Sequence, residues 1–286
     1  MSGLPSPETD LDLVGLTVGV VGAGVMAEAM VGGIIRNHLV SPANIICSHP
    51  RQERREEMRD RYAVNVTPDN REAAASRVVI LGVKPQMLSG LMNELKGGIG
   101  EQSLIISIIA GAPTSALMNG LDHRLLIRAM PNTPSQIGRG VTVWYASPGA
   151  DATHRAIGKS ILGALGIEIE VKDEDDVAKA TAVSGTGPTY VFLFIEALID
   201  AAVHLGFPRH VARELVLDTV RGSAEFALQS HKHAAELRDM VTSPGGTSAA
   251  ALYQLESGRL RTVVSDAVWA AYRRTAELEA KLEKST

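Results

Sequence analysis

Short apolar runs recur through the first 170 or so residues, at Thr17–Gly22, Asn44–Ser48, Val78–Val83, Leu104–Ile109, Leu125–Met130, Val141–Tyr145 and Glu168–Val171. Most are continuous and β-branched, which predicts strands buried on both faces, as in a parallel sheet covered by helices. Between them, helix-like segments fall at Ala27–Asn37, Gln52–Arg61, Asn70–Ala75, Leu88–Leu95, Thr114–Gly120 and Thr153–Leu165. The alternation implies an α/β, doubly wound open sheet. Past Lys172 the strand signal stops, and residues 173–286 read as helices, with breaks at Ser184–Pro188, Gly206–Pro208, Ser243–Gly246 and Gly258. The segment Pro188–Leu205 opens on a residue favoured at the first helical position and ends at Gly206. Arg209–Ser230 and Leu260–Lys281 follow as long helices. Pro188–Leu205 is apolar nearly all round, so other helices must cover it, and the helical half is small to do so alone. A partner chain is expected, with burial wholly within the chain as the alternative. Three parts result: a disordered leader at 1–13, an α/β domain at 14–172 and an all-α domain at 173–286.

One turn carries a chemical signal. Val18-Gly19-Val20-Val21-Gly22-Ala23-Gly24-Val25-Met26-Ala27 ends the first strand and opens the first helix as G-x-G-x-x-A. Gly22 permits the tight turn, Gly24 lets backbone approach a pyrophosphate, Ala27 keeps the helix near the sheet, and the helix N-terminus favours the anion. The first domain is therefore expected to be a Rossmann-type dinucleotide-binding domain. The second strand runs into Ser48-His49-Pro50-Arg51, without the acid that an NAD site places there for the ribose 2′-hydroxyl. Ser48, His49 and Arg51, with Arg54 and Arg55 beyond, can instead offset a 2′-phosphate, which favours NADPH over NADH. Two further turns, Gly82-Val83-Lys84-Pro85 and Ile109-Ala110-Gly111, lie at the strand ends where open sheets bind ligands. In Met130-Pro131-Asn132-Thr133-Pro134 two prolines fix a loop and aim the Asn132 amide, for binding or for simple turn-making.

In the helical half, Thr242-Ser243-Pro244-Gly245-Gly246-Thr247-Ser248 resembles an anion nest at a helix N-terminus, suited to a small carboxylate. Helix capping alone is the plainer alternative. Glu196, Asp200 and His204 share a helical face, a spacing that suits an ion-pairing seam better than a metal site, and no metal is expected. His231 and His233 read as a solvated pair, and Cys47 as a small packed hydrophobe.

Composition narrows the classes. With 28 Lys+Arg against 32 Asp+Glu, the net charge of −4 gives no basic excess for nucleic acid, and 4% aromatic residues give no stacking platform. A single cysteine allows no internal disulfide and fits a reducing cytoplasm. The most apolar stretches, including Tyr190–Val203, fall short of the ~20 residues of a membrane span. Residues 1–13 lack Lys, Arg and an apolar core, so they do not read as a signal peptide. No G-x-S-x-G, H-E-x-x-H or Walker pattern supports hydrolase or phosphoryl-transfer chemistry.

The ordered set resembles the Δ1-pyrroline-5-carboxylate reductase family from about Thr17 to Leu278. Its matching pieces are Val21–Met26, Val83-Lys84-Pro85, Ala110-Gly111, Met130–Pro134, Ser184-Gly185-Thr186-Gly187-Pro188, Asp239–Thr247 and Leu255-Glu256-Ser257-Gly258. The chain departs from the family pattern in having Thr186 for serine, Thr189 for alanine, Ala234 for a common proline and Ser248 for threonine. The resemblance implies reduction of a cyclic imine to L-proline with NADPH, the final step of proline biosynthesis, with NADH a weaker alternative. It implies a cofactor site on Val21, Gly22, Ala23, Gly24, Val25, Met26, Asn70, Gly82, Val83, Lys84 and Pro85, with Ala110 and Gly111 at the nicotinamide. Ser48, His49, Arg51 and Asn132 complete the expected cofactor set. The imino-acid substrate is expected on Val241, Gly245, Gly246, Thr247 and Ser248, its carboxylate on the N–H groups of Gly246, Thr247 and Ser248. The Ser248 hydroxyl holds the ring nitrogen and is the expected catalytic group. The resemblance also implies a cytoplasmic homodimer, or a larger assembly of dimers, whose helical domains interlock. Two other readings stand beside it: a β-hydroxyacid-type dehydrogenase, needing a catalytic lysine for which Lys179 and Lys232 are the candidates, and a non-catalytic NADP sensor, which would lose the Ser-Pro-Gly-Gly loop.

Overall fold

A computed structural model of the chain describes Leu13 and residues 15–283. The expected leader lies outside these residues except for Leu13, which is buried in the core. The chain forms two compact units, one running to Thr186 and resuming at Ala271, the other comprising Gly187–Ala270.

In the first unit, β1 (Val18–Val21), β2 (Ile45–Ser48), β3 (Asn65–Thr67), β4 (Val78–Leu81), β5 (Leu104–Ser107), β6 (Leu126–Met130), β7 (Gly140–Ala146) and β8 (Gly166–Glu170) make one sheet, ordered β3-β2-β1-β4-β5-β6-β7-β8. Every neighbouring pair is parallel except β6 with β7. The helices α1 (Val25–Arg36), α2 (Gln52–Tyr62), α3 (Asn70–Ala74), α4 (Leu88–Leu95), α5 (Thr114–Leu121) and α6 (Ala152–Gly163) alternate with these strands. All residues of β1, β4 and β5 are buried. Their side chains divide between two clusters: Val18, Val20, Val78, Ile80, Leu104 and Ile106 in one, Val21, Val79, Leu81 and Ile105 in the other. A continuous apolar run thus serves both faces at the two-residue period of a strand. The pattern misses β3, whose three residues include an exposed Asn65 and leave only Thr67 buried.

The pattern also predicts a break at Ser184–Pro188, whereas the structure continues through it. Here α7 (Asp175–Ala180), a wide π turn at Thr181–Gly185 and α8 (Gly187–His204) form one helical run. Pro188 has no N–H for the carbonyl four residues back, that of Ser184. The Asn132 side-chain amide takes that carbonyl at 3.0 Å, while its oxygen accepts the Val141 N–H at 2.9 Å. Joined in this way, Asp175–His204 is 30 residues long, with mean hydropathy 1.4 in its most apolar window and 6% of that window buried. By length and composition alone it could span a membrane, which corrects the expectation drawn from Tyr190–Val203 in isolation.

The change expected at residue 172 is a change of secondary structure but not of packing. Val177 and Ala178 are buried in the first unit. Buried Arg128 on β6 donates to Glu174 at 2.8 Å and to Glu279, and the Tyr272 hydroxyl donates to Asp175 at 3.0 Å. The end of α12 (Leu260–Glu283) is thereby tied into the sheet unit. The second unit contains α8, α9 (Arg209–Ser230), α10 (Ala234–Met240), α11 (Thr247–Ser257) and the start of α12. Only Ala212 and Val216 are buried among its described residues.

Candidate functional site

The sheet reverses its winding direction between β1 and β4, and the glycine turn leaves β1 at that point. Gly22 sits at φ +85°, and a Cβ there would come within 2.6 Å of the Val83 side chain and 2.9 Å of its backbone nitrogen. The turn is closed by backbone bonds, two of them to the end of β2. The N–H groups of Gly22 and Ala23 both donate to the Ser48 carbonyl, at 3.2 and 3.1 Å, and that of Gly24 donates to Gly22 at 2.7 Å. Gly24 then caps α1, whose first internal bond is Glu28 N–H to Gly24. Val25, Met26 and Ala27 therefore keep backbone donors at the positive end of a helix, with no acceptor inside it. Buried Ala27 lies where a Cβ on Gly82 would meet its own Cβ at 2.9 Å, so the helix approaches the β4 end closely. Gly82 N–H donates to Val21 at 2.9 Å, and Val83, Lys84 and Pro85 follow on the same edge, Lys84 and Pro85 exposed. This cradle fits a dinucleotide pyrophosphate.

Several expected members of the site do other work. Ser48 is fully buried, and its hydroxyl meets the Asn70 side-chain oxygen at 2.8 Å rather than facing outward. Asn70 in turn donates to Glu94 at 2.9 Å. Asn132 spends one amide N–H on the Ser184 carbonyl and accepts the Val141 N–H, which is a structural role. Gly111, buried at φ +69°, would put a Cβ 2.8 Å from the Leu278 Cβ, so its glycine serves close passage of α12. Ala110 beside it is half-buried.

The arginines near β2 separate cleanly. Arg55 donates to the carbonyls of His49 and Pro50, at 2.7 and 2.9 Å, and Arg54 donates to Ala23 at 2.8 Å. Arg51, at the start of α2, is exposed, and its guanidinium has no hydrogen-bond partner among the described residues. His49 is half-buried, and partial burial with the nearby charge of Arg51 holds its imidazole below the usual histidine range. Arg51 keeps its whole guanidinium for a 2′-phosphate, with His49 next to it, and Arg55 keeps Nε and Nη2 unbonded among the described residues.

In the helical unit, Gly245 (φ +69°) and Gly246 lead into α11. The Gly246 N–H is already donated to Ser243 at 3.0 Å, which removes it from the expected carboxylate donors. The first internal bond of α11 is Ala250 N–H to Gly246, leaving the backbone donors of Thr247, Ser248 and Ala249 for a ligand. Ser248 is half-buried, with no side-chain partner among the described residues, and Val241 is exposed at the end of α10. His233 caps α10 through Nδ1, which accepts the Ala235 N–H at 3.2 Å. Asp200 pairs with Arg209 at 2.9 Å, as an ion-pairing seam would have it. Lys179 pairs at the surface with Asp175 and Asp176, at 2.8 and 2.9 Å, and exposed Lys232 meets the Met240 sulfur at 3.3 Å.

Residues 174–278 match the model described as pyrroline-5-carboxylate reductase dimerisation, and residues 17–111 match that of NADP oxidoreductase, coenzyme F420-dependent. A pyrroline-5-carboxylate reductase of Synechocystis sp. is 42% identical over 267 residues, which is 93% of this chain and 99% of the relative. The chain belongs to the pyrroline-5-carboxylate reductase family. A solved reductase of this family from Plasmodium falciparum, with NADP bound, superposes with TM-score 0.86 at 30% identity, covering 93% of this chain and 99% of that one. A pyrroline-5-carboxylate reductase from Coxiella burnetii gives 0.84 at 37% identity, covering 92% and 98%. The matches span both units, so the glycine turn and the Gly245–Ser248 loop are parts of one reductase.

Sequence reasoning missed Arg54 as a support of the glycine turn. Its only sequence signal is a place one helical turn past β2, which it shares with Arg55.

Proposed function

We propose that this chain reduces 1-pyrroline-5-carboxylate to L-proline with NADPH, the closing step of proline biosynthesis, and uses NADH less well. The observation that carries the reading is the opening of α11, where three backbone donors and the Ser248 hydroxyl lie behind two residues without side chains. Such donors at the positive end of a helix suit one carboxylate. The hydroxyl suits a ring nitrogen. A bound dinucleotide supplies the hydride. The residues of the chain orient the imine and hold its charge, which is the main demand of this reaction, because a cyclic imine can bind already protonated.

The same proposal includes a homodimer, or a larger assembly of such dimers. It is supported by α8, which has no buried residue and exposes Phe192 at 60% and Leu193 at 65%. A cytoplasmic location belongs with it, supported by the one cysteine, Cys47, whose thiol burial pushes up to about 12. The test is oxidation of NADPH and NADH with 1-pyrroline-5-carboxylate, beside 1-pyrroline-2-carboxylate and the six-membered analogue. The highest kcat/KM is expected for NADPH with the first substrate. A chain that binds NADPH yet turns over none of that substrate would reject the reading.

A further inference from the structure

We propose that Arg54 is a positioning residue for the dinucleotide, fixing the glycine turn in its binding shape through the Ala23 carbonyl. This rests on the cofactor reading above. Arg54 is in the first turn of α2, and its side chain is only 13% exposed despite its charge. Its three guanidinium nitrogens meet three elements: Nε the Ala23 carbonyl at 2.8 Å, one terminal nitrogen Glu28 of α1, and the other Glu57 of α2 at 2.9 Å.

The turn leaves one place for such a residue. The carbonyl of Val21 accepts from Gly82, that of Gly22 from Gly24, and that of Gly24 from Glu28. The Ala23 carbonyl is the turn's remaining acceptor, and Arg54 meets it. The Ala23–Gly24 peptide is thus held at both ends, its N–H by Gly22 and its C=O by Arg54. Rotation of that peptide would swing Gly24 and the first turn of α1, where the unspent donors of Val25 and Met26 lie. Arg54 also faces the carboxylate of Glu28 one turn into that helix, a charge that would otherwise oppose a pyrophosphate at the same end.

The geometry separates Arg54 from Arg51. A guanidinium with a bond on each of its three nitrogens and a side chain only 13% exposed presents little to a 2′-phosphate, whereas Arg51 presents its whole fork. Arg54 therefore serves NADPH and NADH alike, and Arg51 serves NADPH alone. Lysine is no replacement at position 54, because one ammonium cannot reproduce a planar fork across three acceptors.

The experiment measures calorimetric Kd values for NADPH and NADH, with kcat and both KM values, on the full-length wild type and on Arg54→Gln, Arg54→Lys and Arg51→Ala. Arg54→Gln should weaken both dinucleotides by the same factor, about tenfold, the size of one charge-assisted hydrogen bond. At saturating cofactor its kcat should stay within about twofold of wild type, and KM for the imino acid should not move. Arg54→Lys should recover only part of the loss. Arg51→Ala should weaken NADPH alone. If Arg54→Gln folds poorly, Arg54→Lys carries the same comparison, since it keeps the charge and the stem. Loss confined to NADPH would overturn the proposal by making Arg54 a phosphate reader. Unchanged Kd values in a wild type that binds both would overturn it by leaving Arg54 a fastening of α2. A wild type that binds neither dinucleotide would reject the cofactor reading, and this proposal with it.

Discussion

The sheet unit and the helical unit use equally apolar sequence to opposite ends. In β1, β4 and β5 every residue is closed off from solvent by helices of the same chain. In α8, with Phe192, Leu193, Phe194 and Leu198 in close succession, no residue is buried. Apolarity alone does not distinguish a core from an interface. Context does: the strand runs are short and flanked by helices that can cover them, while the long apolar helix belongs to a unit with too little chain to enclose it. The family model matched over that part is itself one of dimerisation.

The contrast can be broken in four places. The largest effect is expected from Phe192→Asp, which puts an unpaired charge on the open face of α8. Dimer dissociation should rise roughly 1,000-fold, about 4 kcal/mol. Light scattering at micromolar concentration checks it, and an unchanged dimer would remove α8 from the interface. Next, Ile80→Ala opens a hole in the fully buried β4 core and should lower unfolding stability by about 3 kcal/mol in a urea titration. A loss no larger than that of an exposed leucine would mean the sheet core is looser than its burial implies.

The third place is the substrate loop. Ser248→Ala removes a half-buried hydroxyl and should cost about 1.5–3 kcal/mol of transition-state stabilisation, a loss of roughly 10- to 150-fold in kcat/KM. NADPH affinity should be unaltered, and Ser248→Thr should be tolerated, because it keeps the hydroxyl and adds only a methyl group. Wild-type kcat/KM in Ser248→Ala would reduce the hydroxyl to a helix cap.

The smallest effect concerns Glu28. Burial alone would push its carboxyl up, but bonds from Arg54, Arg61 and Tyr62 hold it below its ordinary value of 4.5. The folded state thus favours ionised Glu28. Its contribution is present above the ordinary carboxylate value and is lost as pH falls through the lowered one. Glu28→Gln should be less stable than wild type at neutral pH, and the two should converge on acidification. Urea midpoints that stay parallel down to about pH 3 would show that Glu28 contributes no acid sensitivity.

Much of the site was legible because its chemistry is local. Gly22, Gly24 and Ala27 declare a strand–turn–helix pyrophosphate cradle within a few residues, and Gly245–Ser248 declare a helix opening with spare donors. What was not legible depends on partners far along the chain. Ser48 ends β2 as a phosphate ligand would, yet its hydroxyl meets Asn70, 22 residues on. Asn132 has the prolines of an aimed loop, yet its target is the carbonyl that Pro188 leaves unbonded. Gly111 sits at a ligand-binding edge, yet what passes close to it is Leu278.

By itself the sequence determined the strand and helix periods, the glycine turn, the family and hence the reaction class, because each is written in residues near one another. Tertiary structure alone decided which of three similar arginines stays wholly open. Arg54 bonds through all three nitrogens and Arg55 through Nη1 alone, to carbonyls and carboxylates that folding brings to them, while the Arg51 guanidinium meets none. A guanidinium's charge is fixed by its residue type, but where its hydrogen bonds go depends on which acceptors the fold places within about 3 Å.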